Sequence, residues 1–314
     1  MQKEPFKYLF GPVPSRRLGR SLGIDLVPFK TCCLNCLYCE CGITTVQTLE
    51  RKEYVPARAT IQEVDAFLST VPSLDVITFA GSGEPTLNTA LPVVLRHVQS
   101  HYPQYKTALL TNGVLLFLEE VRQGLLTFDY VLPSLDAVRQ ETFERINQPP
   151  AGLDNRKVIE GLIAFSKMYR GILWVEVFII PGVNDDEVEL ALLKQTLDKV
   201  RLDRVHLNTL DRPPAFAGVE PASSERLWQI ARFFAPLPVE IISRKAETAP
   251  RIALSRHGIK DILATLRRRP MTIEDLSVTM AKNINEMYVL LDMLLDKNLV
   301  TTRTVNNKTF YQAR

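Results

Sequence analysis

Cys32-Cys33-Leu34-Asn35-Cys36-Leu37-Tyr38-Cys39 contains four of the chain's five cysteines, and the fifth, Cys41, follows two residues later. Cys32, Cys36 and Cys39 stand as C-x3-C-x2-C. A [4Fe–4S] cluster held by protein alone takes four thiolates, so a loop offering three leaves one iron for a ligand that is not protein. Cys33-x2-Cys36-x2-Cys39 is a second register of the same kind. Two other readings fit less well. A structural zinc site wants four Cys or His ligands, commonly as two separated pairs, and the four histidines, His101, His206 and His257 among them, supply no second pair at that spacing. A disulfide framework does not suit an odd number of cysteines in a chain of 314 residues.

Outward from this loop, Leu22-Gly23-Ile24-Asp25-Leu26-Val27 alternates as a strand does, and Pro28-Phe29-Lys30 carries it into the cysteines. On the far side, Thr60-Ile61-Gln62-Glu63 has capping-box spacing and predicts a helix from Thr60, with Val64, Phe67 and Leu68 on one face. A rhythm then sets in. Apolar β-rich runs at 76–80, 107–110, 130–132, 173–180 and 205–208 alternate with helical periodicity at 89–100, 114–124, 155–169, 186–200 and 223–234. Near-continuous apolar strands separated by helices predict a parallel sheet covered by helices. Six such units predict an α/β fold, a partial (β/α)6 TIM-type barrel. A doubly wound open sheet is the alternative, and in both the ligands bind at the carboxyl ends of the strands.

Those ends are small, polar or acidic: Gly81-Ser82-Gly83-Glu84-Pro85-Thr86, Thr111-Asn112-Gly113, Ser134-Leu135-Asp136 and Pro181-Gly182-Val183-Asn184-Asp185. The glycine loop is no dinucleotide fingerprint, because Glu84-Pro85 follows where a helix N-terminus should receive phosphate; a carboxylate there suits an ammonium. Along the strands, His206 and Asn208 share the face opposite Val205, Leu207 and Thr209, and Glu176 shares a face with Trp174 and Phe178. Polar groups in mid-strand of a helix-covered sheet are expected to point into the lumen. Glu176, His206 and Asn208 are therefore the candidate substrate-side catalytic residues, with a buried structural network as the other reading. Arg16, Arg17, Arg212, Arg244 and Arg251 are candidates for an anionic substrate.

With these motifs in view, the chain resembles the radical S-adenosylmethionine superfamily. Cys32, Cys36, Tyr38 and Cys39 give C-x3-C-x-aromatic-C after the first strand, and a glycine and glutamate loop follows the second. Gly11-Pro12-Val13-Pro14-Ser15-Arg16-Arg17-Leu18-Gly19, Gly83-Glu84-Pro85-Thr86-Leu87 and Thr111-Asn112-Gly113 are similar to the branch of iron–sulfur oxidoreductases related to the wyosine-forming tRNA enzymes. The likeness covers roughly residues 8–245. It implies that Cys32, Cys36 and Cys39 ligate a [4Fe–4S] cluster whose fourth iron is chelated by the amino and carboxylate groups of S-adenosyl-L-methionine. It further implies that Gly81, Ser82, Gly83 and Glu84 receive the amino end, Ser134 and Asp136 the ribose, Thr111 and Asn112 the neighbouring wall, and that Tyr38 packs beside cluster and adenine. Reductive cleavage would yield methionine and a 5′-deoxyadenosyl radical that takes hydrogen from a substrate in the barrel mouth. An electron donor such as flavodoxin or ferredoxin is implied. The wyosine enzymes use a second cluster whose cysteines precede the radical motif; this chain has no cysteine before Cys32 or after Cys41, which sets the limit at one cluster.

From His257 the pattern changes to three short helices, marked by Ile259, Ile262, Leu263 and Leu266, by Thr272 capping Ile273-Glu274-Asp275-Leu276, and by Ile284, Met287, Leu291, Leu294 and Leu295. A hairpin signal at Asn306-Asn307 follows. This tail resembles a winged helix, so the expected domains are 1–250, the barrel, and 251–314, the winged helix. Formal net charge is only +3, and from Arg256 on ten Lys and Arg stand against six Asp and Glu. A nucleic-acid or protein partner is expected through the tail, with Arg267-Arg268-Arg269, Arg303 and Lys308 as its basic candidates, although Glu286, Asp292 and Asp296 oppose phosphate contact on the third helix. A different class of function is a regulator whose cluster senses redox state while the winged helix binds DNA. No apolar run follows Met1-Gln2-Lys3-Glu4-Pro5 and none is long enough to span a bilayer, Ile172 to Ile180 being broken by Glu176 and stopped by Pro181. A cytoplasmic protein, with no membrane partner, is expected.

Overall fold

The computed structural model describes residues 6–242, 259–280, 287, 290, 291, 294, 295, 297–305 and 308–314. Eight strands form one sheet: β1 Leu9–Ser15, β2 Gly19–Ile24, β3 Val76–Phe79, β4 Lys106–Thr111, β5 Tyr130–Pro133, β6 Ile172–Phe178, β7 Arg204–Asn208 and β8 Val239–Ile241. β1 and β2 are an antiparallel hairpin, and from β2 onward each strand pairs in parallel with the next. Spatial order therefore equals chain order. A doubly wound sheet reverses its order at a switch point; this one never does, so the alternative falls away and the mostly parallel sheet agrees with a partial barrel. The connections carry α1 Ala57–Leu68, α2 Leu91–His101, α3 Glu119–Gly124, α4 Gln140–Asn147, α5 Asn155–Met168, α6 Glu187–Leu197 and α7 Ser224–Phe233.

Alternation along the strands sorts the side chains as expected. Val175, Val177, Val205 and Leu207 are fully buried in the main apolar core. On the opposite face Trp174 meets His206, with ring centroids 4.7 Å apart, and Asn208 meets Glu176. Two local expectations shift. α1 starts at Ala57, after Pro56, and Thr60 is an interior residue whose Oγ1 donates to the Pro56 carbonyl at 3.3 Å, so it caps nothing. The first strand is preceded by β1, whose Pro12 and Pro14 argue against a strand except at a sheet edge, where β1 lies. Gly23 on β2 lets Phe10 of β1 lie flat against it: a Cβ there would stand 2.1 Å from the ring.

The tail has its own apolar cluster, which includes Ile262, Leu266, Leu276, Met287, Leu291 and Val300. Around it lie α8 Ile259–Arg268, α9 Ile273–Thr279 and the hairpin of β9 Val300–Val305 with β10 Lys308–Ala313. Thr272 caps α9 as expected, accepting from the Asp275 amide at 3.3 Å. Residues 287, 290, 291, 294 and 295 are helical; the rest of the third helix, Asn306-Asn307, Arg244, Arg251 and the expected boundary at 250/251 lie outside the described residues. The tail sits against the barrel. Arg212 Nε donates to Pro270 O at 2.7 Å, Arg303 Nη1 to Pro214 O at 3.1 Å and Arg268 Nη2 to Lys7 O at 2.9 Å, while Arg268 Nε lies 3.4 Å from Asp25. Among the described residues no helix is long and apolar enough to cross a membrane.

Candidate active site

The cysteine loop leaves the carboxyl end of β2 and is clamped by the strand-end loop of β3. Lys30 N donates to Ser82 O and Glu84 N to Thr31 O, both at 3.1 Å. Gly83 makes this approach possible, since a Cβ on it would lie 1.9 Å from Thr31 O. Within the loop the five cysteines divide. Cys33 is fully buried in the apolar core, whereas Cys32, Cys36, Cys39 and Cys41 are partly accessible. The burial of Cys33 speaks for the C-x3-C-x2-C register.

Each thiol of that register has a side-chain nitrogen donor. Lys30 Nζ stands 3.0 Å from Cys39 Sγ, Asn147 Nδ2 3.4 Å from Cys36 Sγ and Asn112 Nδ2 3.5 Å from Cys32 Sγ. Lys30 is itself buried, an unusual place for an ammonium unless it faces negative charge. Burial pulls its pKa down, but Cys39, Cys41 and Cys32 more than offset that. Burial pushes the Cys32 thiol up to about 12 and Cys36 well up too. Cys39 is held down by the hydrogen bond from Cys41 and, against burial, by Lys30. No three His, Cys, Asp or Glu side chains among the described residues converge on one metal-ion position. A [4Fe–4S] cluster does not require it, because each thiolate binds a different iron. Three thiols with matched donors, beside a glycine that admits backbone contact, fit such a group.

The other strand-end residues gather next to this loop. Glu84 is buried, and its carboxylate accepts from Thr86 N, Thr86 Oγ1 and Thr111 Oγ1 at 3.0, 2.6 and 2.7 Å and from Asn112 N at 2.8 Å. Expected to face an ammonium, it instead ties the ends of β3 and β4 together. Asp136 behaves alike: it accepts from Tyr38 Oη, Asn147 Nδ2 and Phe178 N, and burial pushes its pKa up to about 6. Ser82 donates to Asp25 from both Oγ and N, at 2.7 and 3.0 Å, and a Cβ on Gly81 would meet Asp25. Ser134 continues β5, donating its amide to Thr111 O and bridging to Glu176. Tyr38 stacks on Phe178 of β6, with centroids 3.9 Å apart and planes 10° from parallel, so cysteine loop and lumen share a wall.

In the lumen Glu176 binds Arg17 and accepts from Asn208 Nδ2 at 3.3 Å. His206 is buried with Nδ1 unpartnered, and burial pushes its pKa down to about 3. Structure thus brings Glu176, His206 and Asn208 to one face, joined by Arg17 from the β1–β2 turn. Sequence reading missed Asp25, Lys30 and Asn147. A lysine two residues before the first ligand was a signal for Lys30; Asn147 ends α4, a helix with no sequence expectation.

The family description that matches the chain is the radical SAM superfamily, over residues 26–193. The chain belongs to the radical SAM superfamily. It is 35% identical, over 100% of both chains, to the UPF0026 protein of Helicobacter pylori strain J99. Its radical SAM fold is also that of a radical SAM methyltransferase from Sphaerobacter thermophilus, with TM-score 0.54 and 19% identity over 70% of this chain and 65% of that one. Streptococcus suis SuiB, solved bound to S-adenosylmethionine, matches with TM-score 0.51 and 14% identity over 70% of this chain and 50% of that one. Radical SAM proteins are enzymes that use a [4Fe–4S] cluster and S-adenosylmethionine, and these are the cofactors here. Membership does not favour the redox-sensing regulator.

Proposed function

We propose that this enzyme holds one [4Fe–4S] cluster on Cys32, Cys36 and Cys39 and uses it to start hydrogen abstraction from a substrate in the barrel lumen. The observation that carries this reading is the set of three side-chain nitrogen donors, one to each thiol of the C-x3-C-x2-C register. When bound, cluster and S-adenosylmethionine supply reductive carbon–sulfur cleavage to methionine and a 5′-deoxyadenosyl radical. The chain's residues do the rest. Lys30, Asn112 and Asn147 orient the thiolates and balance their charge. Because Glu84 and Asp136 spend their oxygens on the chain's own donors, they position the wall; the backbone of Gly81, Ser82 and Gly83 is what remains for the amino end, and Ser134 with Thr111 and Asn112 lines the nucleoside side. Tyr38, fixed between Phe178 and Asp136, closes the lumen behind the cluster. Glu176, His206 and Asn208 face the substrate.

The likeness to the wyosine-forming enzymes is carried as part of this proposal for the cofactor step and an RNA-related substrate, with one cluster as the limit. A flavodoxin or ferredoxin is the proposed electron donor. The domain division at 250/251, the winged-helix form of the tail and its nucleic-acid or protein partner belong to the same proposal. Within it, a protein partner is favoured, because Arg268 and Arg303 each spend a donor on a barrel carbonyl, which leaves Arg267 and Lys308 as the exposed basic candidates without such a contact to the barrel among the described residues.

Anaerobic reconstitution with iron and sulfide, followed by dithionite and S-adenosylmethionine, should release 5′-deoxyadenosine. A fully loaded cluster that releases none would overturn the reading. Glu176→Ala, His206→Ala and Asn208→Ala should keep cofactor cleavage and lose coupled substrate turnover; unchanged turnover in all three would remove them from the substrate side.

A further inference from the structure

A cleft of about 750 Å³ opens where the barrel meets the tail, at the entry to the cysteine loop. Lys7 and Tyr8 of the N-terminal segment, Asp25 and Phe29 beyond β2, Tyr54 before α1 and Arg267 of α8 are among the residues that line it. Its charges do not cancel. Arg268 balances Asp25, the one carboxylate of the lining, which also accepts from both Ser82 donors. Glu63, close by, spends its oxygens on the Lys7 and Tyr8 amides at 2.8 and 2.7 Å. Lys7 Nζ lies over the Tyr8 ring, 5.2 Å from its centre, and neither Lys7 nor Arg267 has a carboxylate at ion-pair distance among the described residues. Both are exposed. Apolar groups stand out beside them. Phe29, which precedes the cysteines, is 53% exposed, and Ile43 and Val46, which follow them, are 55% and 50% exposed. Thr45 N and Val46 N both donate to Lys30 O, at 3.1 and 3.0 Å, so the entry and exit of the loop lie side by side. Lys30, the residue after Phe29, is buried with its ammonium 3.0 Å from Cys39 Sγ.

We infer that this surface, Phe29, Ile43 and Val46 with Lys7 and Arg267 at its rim, docks an acidic one-electron carrier protein. Large apolar side chains left in water on one loop, with uncompensated charge at their edge, mark a surface for another protein. The redox function proposed for the loop says which kind. Its lumen side, where Tyr38 stacks on Phe178, belongs to cofactor and substrate, so an electron has to arrive from the side those molecules leave free. Phe29 stands on that side, one residue from the lysine that touches Cys39. A carrier must also leave again. Weak electron-transfer encounters bury less than about 1,200 Å² and are steered by complementary charge more than held by area, and Lys7 and Arg267 select a carrier with carboxylates around its redox group. One electron passes: the carrier's reduced group is oxidised by one equivalent and the cluster is reduced by one, with no covalent bond made between the two proteins. The tail contributes Arg267, so the surface is whole only with the tail seated. This inference rests on the cluster proposed above, and dithionite, which needs no docking surface, separates the two.

The test uses the full, cluster-loaded chain under anaerobic conditions, with an acidic flavodoxin in one arm and dithionite in the other. Calorimetric titration with oxidised flavodoxin should show binding that weakens with added salt. The second-order rate of cluster reduction by reduced flavodoxin, followed by absorbance in a stopped flow, should fall about ten-fold or more in the Lys7→Glu, Arg267→Glu double variant and in Phe29→Ser. Circular dichroism, iron content and dithionite-driven release of 5′-deoxyadenosine should stay at the parent's values. Trp228→Ser removes an exposed apolar group from α7 and should change neither rate nor affinity. Absence of flavodoxin binding by the parent, rates unmoved in both rim and Phe29 variants, or an equal loss in Trp228→Ser would overturn the docking surface. So would salt-sensitive binding of duplex RNA that the charge reversals abolish while reduction by flavodoxin persists, which would assign the rim to nucleic acid. Failure of dithionite to drive release from the loaded parent would overturn the cluster reading on which the docking surface rests.

Discussion

Lys30 sets the chemical character of the cysteine loop. Its ammonium, buried and 3.0 Å from Cys39 Sγ, favours extra negative charge on the sulfur and so favours a reduced cluster. Lys30→Met keeps the stem and removes the charge. The cluster's reduction potential should fall by on the order of 50 mV, about the size of one charge-assisted hydrogen bond for a one-electron couple, as read by an electron paramagnetic resonance titration. Cys32→Ala, Cys36→Ala and Cys39→Ala should each lose cluster iron, while Cys33→Ala should keep it, because Cys33 packs in the core; iron and sulfide analysis separates the two registers. His206 gives a pH prediction. An unfolded histidine titrates near its ordinary 6.5, and burial holds this one at about 3. Between these values the unfolded chain binds the extra proton, so stability is complete above about 6.5 and is lost as pH falls through the window. His206→Gln should flatten the pH dependence of the unfolding free energy between about pH 4 and 6 by up to one proton, and denaturant midpoints measured across that range check it.

Among strands and loops, what was legible from sequence followed from burial. Val76–Phe79 is buried throughout and apolar but for Thr78, because both faces are covered, and it shows as a strand without structure; β1 does not, because its prolines are tolerated only at an edge. β8 and α4 are short and carry too few apolar positions to set a period. The site divided in the same way. Cysteine spacing and the glycine loop were visible, yet the direction of Glu84 and Asp136 was not, since a strand-end carboxylate can face a ligand or its own backbone, and only the positions of the Thr111, Asn112 and Phe178 donors decide. Gly83 is where loop packing can be tested. Gly83→Ala would place Cβ 1.9 Å from Thr31 O, a backbone atom that cannot swing aside. The β3 loop must then move off the cysteine loop, breaking the Glu84–Thr31 and Ser82–Lys30 bonds at 3.1 Å. Reconstituted iron content should drop to less than half of the parent's while far-ultraviolet circular dichroism is retained, because the clash is confined to two loops.

The barrel and the tail have separate apolar cores, so what joins them is polar, and one buried guanidinium carries much of it. Arg212 follows β7, yet it reaches Pro270 O and Asp275 in the tail and Glu40 in the cysteine loop. Such a residue works as a unit: with Arg212 truncated, Asp275 and Glu40 lose a positive partner and Pro270 O loses its donor. Removing one partner of a buried ion pair typically costs about 3–5 kcal/mol, and surface contacts such as Arg303 to Pro214 O cannot replace it. That cost falls on docking more than on folding, since neither core contains Arg212. Arg212→Ala should therefore raise hydrogen exchange across 262–280, at the face of α8 and α9 that meets the barrel, while amides in β4 to β7 keep their protection. Glu40 loses its nearest positive neighbour in the same variant, and the cysteine loop should become more accessible to thiol reagents at Cys39 and Cys41. Uniform loss of protection throughout the barrel would instead show that the tail is part of one cooperative unit with it, and that Arg212 stabilises the whole chain and not the seating of its tail.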